Sequence, residues 1–141
     1  MDDINGFGKE EFEKIKSDGS IVSVGKVPAN DVYRYMASID VLVHPTYREG
    51  FGKVLQEAMG MCLPIITTDV PGPKEVVEDG VSGILVPVKN EKALAEEMTR
   101  LYEDEVLRKS LSIAGRSRAV KYFDRPIMIG NILNDIDDIV G

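Results

Sequence analysis

Asp40-Val41-Leu42-Val43, followed by a short loop and then by Glu49-Gly50-Phe51-Gly52-Lys53-Val54-Leu55-Gln56-Glu57, is the stretch that decides the fold. The first four residues read as a strand, ended by His44-Pro45. The Gly-Phe-Gly segment reads as a turn, and the apolar spacing of Val54, Leu55, Ala58 and Met59 reads as one face of a helix to about Gly60. The unit is therefore strand, glycine loop, helix N-terminus. That end of a helix offers free backbone N–H groups and a positive dipole, which suit a phosphate or a hydroxylated anionic ligand. The carboxylates of Glu49 and Glu57 suit sugar hydroxyls, because an ionised carboxylate only accepts hydrogen bonds and a hydroxyl can donate one.

Outward from this stretch the elements alternate. Upstream, Gly8 to Ser17 is charged and helix-prone, and Asp18-Gly19 breaks it. Ile21-Val22-Ser23-Val24-Gly25 reads as a short buried strand. Asn30 or Asp31 then caps a helix running to Ile39, with Val32, Tyr33, Met36 and Ile39 on one face. Downstream, Leu63-Pro64-Ile65-Ile66-Thr67-Thr68 is a strand. Pro71-Gly72-Pro73 is a turn, with Pro73 suited to open a short helix over Lys74 to Glu78. Gly83-Ile84-Leu85-Val86-Pro87 is a further strand, and helices follow over about Asn90 to Tyr102, Asp104 to Tyr122 and Pro126 to Val140.

Apolar strands separated by helices predict an α/β fold. The expected form is a Rossmann-like, doubly wound parallel sheet of about four strands with helices on both faces. Ligands of such sheets bind beyond the carboxyl ends of the strands. The Glu49 loop follows one strand and the Asp69 to Pro73 loop follows the next, so both belong to that edge.

Composition narrows the function. The 141 residues suffice for one modest domain with a core, and the net charge of −7, without a Lys/Arg cluster, argues against a nucleic-acid partner. No apolar run approaches a membrane span, and the opening residues do not read as a signal peptide. Cys62 is the only cysteine, which fits a reducing compartment and a buried structural thiol. There is no Gly-x-Gly-x-x-Gly after a strand, no phosphate-binding Walker loop, no Gly-x-Ser-x-Gly and no Cys/His metal set.

Each candidate residue also has a plainer reading. Glu49 reads equally as a solvated turn charge or a helix cap, and Glu57 as an exposed i,i+4 partner of Lys53. Gly50 and Gly52 suit the turn by tolerating positive φ. His44, the only histidine, reads as a structural or rim residue at the sheet edge, and Tyr47 and Arg48 as either loop lining or plain surface.

Taken in order, Glu-Gly-Phe-Gly-x-x-x-x-Glu-Ala-Met from Glu49, Leu63 to Asp69, Glu75-Val76-Val77-Glu78-Asp79-Gly80 and Gly83-Ile84-Leu85-Val86 resemble the donor-binding domain of family 4 glycosyltransferases. The resemblance covers roughly residues 21 to 123. It implies a partial, N-terminally truncated C-terminal domain of the two-domain glycosyltransferase-B (GT-B) fold. Residues 1–123 would form the partial donor-binding domain, and 124–141 the segment that crosses back to a missing N-terminal acceptor domain.

The implied reaction is retaining transfer of a sugar from a nucleotide-sugar to an acceptor hydroxyl, without a metal or other cofactor. Carried onto matching positions, Glu49 is the catalytic-site carboxylate that binds hydroxyls of the donor sugar. Gly50, Phe51, Gly52 and Lys53 line the sugar and diphosphate, and Glu57 holds the ribose. Val27, in Gly25-Lys26-Val27-Pro28, belongs to the loop that borders the base. His44 and Arg48 stand at the rim.

Two departures matter. Pro71-Gly72-Pro73 replaces a more usual glycine pair. The family's Arg/Lys pair for the diphosphate belongs to a βα unit that has no counterpart here, so the chain alone is expected to be inactive. The implied setting is polysaccharide or glycolipid assembly in the cytoplasm at the inner face of a membrane, with peripheral membrane association of the full-length protein. The alternative is a non-catalytic module that binds a nucleotide or nucleotide-sugar. A receiver-like domain is a weaker third reading, since neither its phosphorylatable Asp nor its Lys is well placed.

Overall fold

The computed structural model describes residues 9–124. Contacts divide the chain into two compact units, 1–32 and 33–141. In the first unit, helix α1 spans Lys9–Ser17. Its end is set by Asp18, whose carboxylate accepts hydrogen bonds from the Ser20 N–H at 2.9 Å and the Ser20 hydroxyl at 2.6 Å. The side-chain bond, then the backbone bond, lower the pKa of Asp18.

The strand expected over Ile21 to Gly25 does not form. Residues 21–28 have no regular structure, and Val22 is 83% exposed. A β-prone run becomes a strand only where a neighbour accepts its ladder and covers a face. Neither condition is met for this run among the described residues. A single 3₁₀ turn, Ala29–Asp31, follows, with Pro28 at its N-cap and no side-chain cap hydrogen bond there. It leads into α2, Val32–Met36, a shorter helix than the expected one to Ile39. Met36 is buried, whereas Tyr33 and Ile39 are exposed.

The second unit carries the sheet. Strands β1 (Leu42–His44), β2 (Ile65–Thr68) and β3 (Ile84–Val86) are parallel, in the order β1-β2-β3. The register pairs His44 with Thr67, and Thr68 with Val86. The described sheet thus has three strands rather than about four, the difference being the Ile21 run. Every residue of β2 is buried, as expected of a central parallel strand covered on both faces. Its two threonines are therefore polar groups in the core, and each finds a hydrogen-bond partner.

Helices flank the sheet. Helix α3 (Lys53–Gly60) buries Leu55, Ala58 and Met59, and α4 (Pro73–Val76) opens on Pro73 at its first position. Both pack against β2. Helix α5 (Glu91–Glu103) is capped by the Asn90 side chain, which accepts from the Ala93 N–H at 3.0 Å. Helix α6 (Glu105–Tyr122) is capped by Asp104, which accepts from the Leu107 N–H at 2.8 Å. Each such cap contributes about 1 kcal/mol. Leu101 and Leu111, from α5 and α6, close a core cluster over Ile66, Ile84 and Val86.

Helix α6 also braces the two helices next to the strand ends. The Arg116 guanidinium donates to the Gly60 carbonyl at the end of α3. Arg118 donates to the Val76 carbonyl at 2.7 Å and the Glu75 carbonyl at 3.1 Å, at the end of α4. A cation on the last carbonyls of a helix satisfies orphan acceptors and complements the dipole. The helix expected over Pro126 to Val140 lies outside the described residues, as does the crossing segment 124–141 apart from Asp124. Among the described residues no helix is long and apolar enough to cross a membrane. Cys62 is exposed rather than buried, because it follows the end of α3 with a left-handed φ of 59° that takes it off the helix's core face.

Candidate functional site at the strand ends

The loops after β1 and β2 meet at the carboxyl edge of the sheet. The first, residues 45–52, carries Glu49, Gly50 and Phe51 and ends at Gly52, the N-cap of α3, in the left-handed conformation at φ 59°. Leu55 and Gln56 donate the first intrahelical bonds to the Gly52 carbonyl, at 3.0 and 3.1 Å. The Gln56 side-chain amide donates to the Phe51 carbonyl at 2.8 Å and closes the turn.

The loop backbone is held from two sides. From β2, the Thr68 hydroxyl accepts from the Thr46 N–H at 3.0 Å and donates to the Thr46 carbonyl. The Thr46 hydroxyl accepts from the Arg48 N–H at 3.3 Å and donates to the Arg48 carbonyl at 3.0 Å. From the next loop, Gly72 presses on the same backbone. A Cβ on Gly72 would lie 2.5 Å from the Glu49 carbonyl oxygen and 2.6 Å from that of Gly50. Its φ of 92° is itself a glycine conformation. The Pro71-Gly72-Pro73 turn, whose shape the sequence left open, is thus a close backing for Glu49. Across that turn Lys74 pairs with Asp69 at 2.9 Å.

The structure brings some of the expected residues together. Glu49 Oε2 and His44 Nε2 are 3.8 Å apart, and each side chain is 29% exposed. That is too long for a hydrogen bond but close enough for a charge interaction when the imidazole is protonated. His44 Nδ1 is buried and has no hydrogen-bond partner among the described residues. Phe51 is 67% exposed, so a large apolar ring stands in solvent beside the helix start. Arg48 is exposed, and its backbone, not its side chain, makes the turn contacts.

Glu57 lies a turn into α3 on the flank of its buried face and pairs with Lys53 at 3.6 Å, the two side chains being 45% and 84% exposed. The plain i,i+4 reading of this pair is therefore realised, and it leaves Glu57 accessible. Val27 belongs to the first compact unit, half-buried in the stretch without regular structure.

Thr46 and Thr68 were not singled out in the sequence. A usable signal existed: two threonines end a strand that is otherwise Ile-Ile, and a hydroxyl in a fully buried strand must find a partner. The Lys89 ammonium, after β3, sits 5.9 Å from the Tyr47 ring centroid, so the third strand-end loop also reaches this edge.

Comparison with known proteins gives this geometry a family. The model of the glycosyl transferases group 1 family matches residues 9–118. The Staphylococcus aureus capsular polysaccharide biosynthesis glycosyltransferase CapM is 32% identical over 124 residues, which is 88% of this chain and 32% of CapM. The structure of the C-terminal domain of LpcC, a glycosyl transferase group 1 family protein from Francisella tularensis, is similar with a TM-score of 0.75. Identity is 26%, over 83% of this chain and 62% of that one. Anabaena Alr3699/HepE, crystallised in complex with UDP, is similar with a TM-score of 0.72. Identity is 27%, over 77% of this chain and 30% of that one. The chain spans about a third of the length of the curated relatives it matches. The parallel three-stranded sheet flanked by helices is that of a GT-B domain, and the chain belongs to the group 1 glycosyl transferases.

Proposed function

We propose that this chain is the donor-binding part of a family 4 retaining glycosyltransferase, which moves a sugar from a nucleotide-sugar to an acceptor hydroxyl. One observation carries the reading: Glu49 stands on a doubly braced loop at the carboxyl edge of the sheet, directly before the N-terminus of α3. The family match and the UDP complex of a structural relative support it.

In this reading the amides of Gly50, Phe51, Gly52 and Lys53 face the sugar and diphosphate. Glu49 accepts hydrogen bonds from sugar hydroxyls and orients the ring. Glu57 accepts from the ribose hydroxyls, and His44 and Arg48 form the rim. Catalysis then rests on positioning and on stabilising the charge of the departing nucleotide diphosphate, with no metal ion required. The name of CapM supports a product in polysaccharide assembly; a related glycolipid as product and a place at the cytoplasmic face of a membrane are further parts of the proposal. An N-terminal acceptor domain would supply the other wall of the cleft. Because the chain spans about a third of its relatives, it is expected to bind donor without transferring it.

The test is a titration of the chain with UDP-, GDP- and ADP-sugars, followed calorimetrically. Saturable binding of one of them, with its effect at the Glu49 loop, is the expected result. No binding of any of the three at millimolar concentration contradicts the proposal.

A further inference from the structure

We propose that Thr68 is a positioning residue for Glu49, acting through a relay of two hydroxyls. The inference rests on the donor-site reading of the loop and adds to it the part that sets the geometry. Thr68 is 4% exposed at the end of the central strand. Its backbone is fixed by the ladder, in register with Val86, and the next residue, Asp69, donates to the Val86 carbonyl at 2.9 Å. From this rigid point its hydroxyl brackets Thr46, taking the N–H and giving to the carbonyl. The Thr46 hydroxyl repeats the bracket on Arg48. The Arg48 carbonyl belongs to the peptide that joins Arg48 to Glu49. The position of the Glu49 Cα is thereby referred, in two steps, to the centre of the sheet.

The neighbouring threonine shows that this is a particular arrangement. Thr67, fully buried in the same strand, uses its hydroxyl to donate to the His44 carbonyl at 2.8 Å, which ties strand to strand and does not reach the loop. A loop has no ladder of its own, so its backbone is ordered only by such contacts. Gly72 bears on the Glu49 and Gly50 carbonyls from the other side, and prevents retreat rather than setting direction.

The experiment compares three variants of the chain. Thr68→Val keeps the shape and removes both bonds; Thr68→Ser keeps the hydroxyl. Ser82→Ala removes an equally buried hydroxyl, which accepts from the Glu78 N–H away from the loop. Three readings are taken: melting temperature, amide hydrogen exchange at Thr46 and Arg48, and affinity for UDP, GDP and ADP and their sugars. Loss of a buried hydrogen bond predicts that Thr68→Val exchanges these amides about tenfold faster and binds the donor about tenfold more weakly. Thr68→Ser should restore exchange and affinity to within about threefold. Ser82→Ala should lower the melting temperature comparably and leave affinity unchanged. The proposal is overturned if Thr68→Val binds as the wild type, or if Ser82→Ala weakens binding equally. A wild-type chain that binds none of the probes refutes the donor reading, and the positioning role with it. The exchange data keep that failure distinct from failure of the relay, in which Thr46 and Arg48 would show wild-type exchange in Thr68→Val.

Discussion

Glu49 and Glu57 stand at the two ends of one short motif, yet different forces place them. Glu49 sits on irregular backbone that is ordered from outside, by the Thr68 hydroxyl of β2 and by the close approach of Gly72. Glu57 sits on a helix whose ladder and buried face, Leu55, Ala58 and Met59, would place it whatever the loop did. Its ion pair with Lys53 is exposed and holds it only loosely. The contrast suggests a division of labour. A site that must orient a sugar ring needs a carboxylate fixed in direction, while a ribose can be held by a carboxylate on a regular helix. It also means that the two ends respond to different substitutions.

Gly72→Ala is expected to have the largest effect. The added Cβ meets backbone oxygens of Glu49 and Gly50, which cannot rotate away, and the glycine φ is lost as well. A cost of about 2–4 kcal/mol is expected, read from denaturant unfolding. Nuclear magnetic resonance shifts should be concentrated at Glu49 and Gly50 and small at Glu57. Equal shifts at both ends would erase the comparison. Lys53→Ala is the smallest expected change. Both members of its pair are exposed, so stability should move by less than about 0.5 kcal/mol, and Glu57 should keep its place on the helix. A loss above about 1 kcal/mol would show that the pair orders Glu57 after all.

Much of this was readable in the residues. The alternation of apolar runs with helix-prone stretches located β2, α3, α5 and α6 nearly to their ends; Asn90 and Asp104, read as the starts of the last two, are the residues that cap them. The Glu49 turn was readable because Gly52 needs a left-handed φ beside an apolar helix face. The Ile21 to Gly25 strand was misread, since alternation and β-propensity say nothing about whether a neighbouring strand is there to pair. The Thr68 to Thr46 relay spans 22 positions, and long-range side-chain bonds leave no periodic trace. Gly72 was legible as a turn glycine, but its contact with Glu49 depends on two loops meeting at the sheet edge.

The division of labour between the two carboxylates is tested most directly by measuring the affinity of one nucleotide with and without its sugar, for the wild-type chain and for Glu49→Ala and Glu57→Ala. UDP and UDP-glucose are the first pair, followed by the GDP and ADP pairs. The account predicts that Glu57→Ala weakens both ligands by about tenfold or more, as expected when a charged hydrogen-bond partner is removed. Glu49→Ala should weaken only the sugar-bearing ligand. Unchanged nucleotide affinity in Glu57→Ala, or equal losses for both ligands in Glu49→Ala, would contradict it.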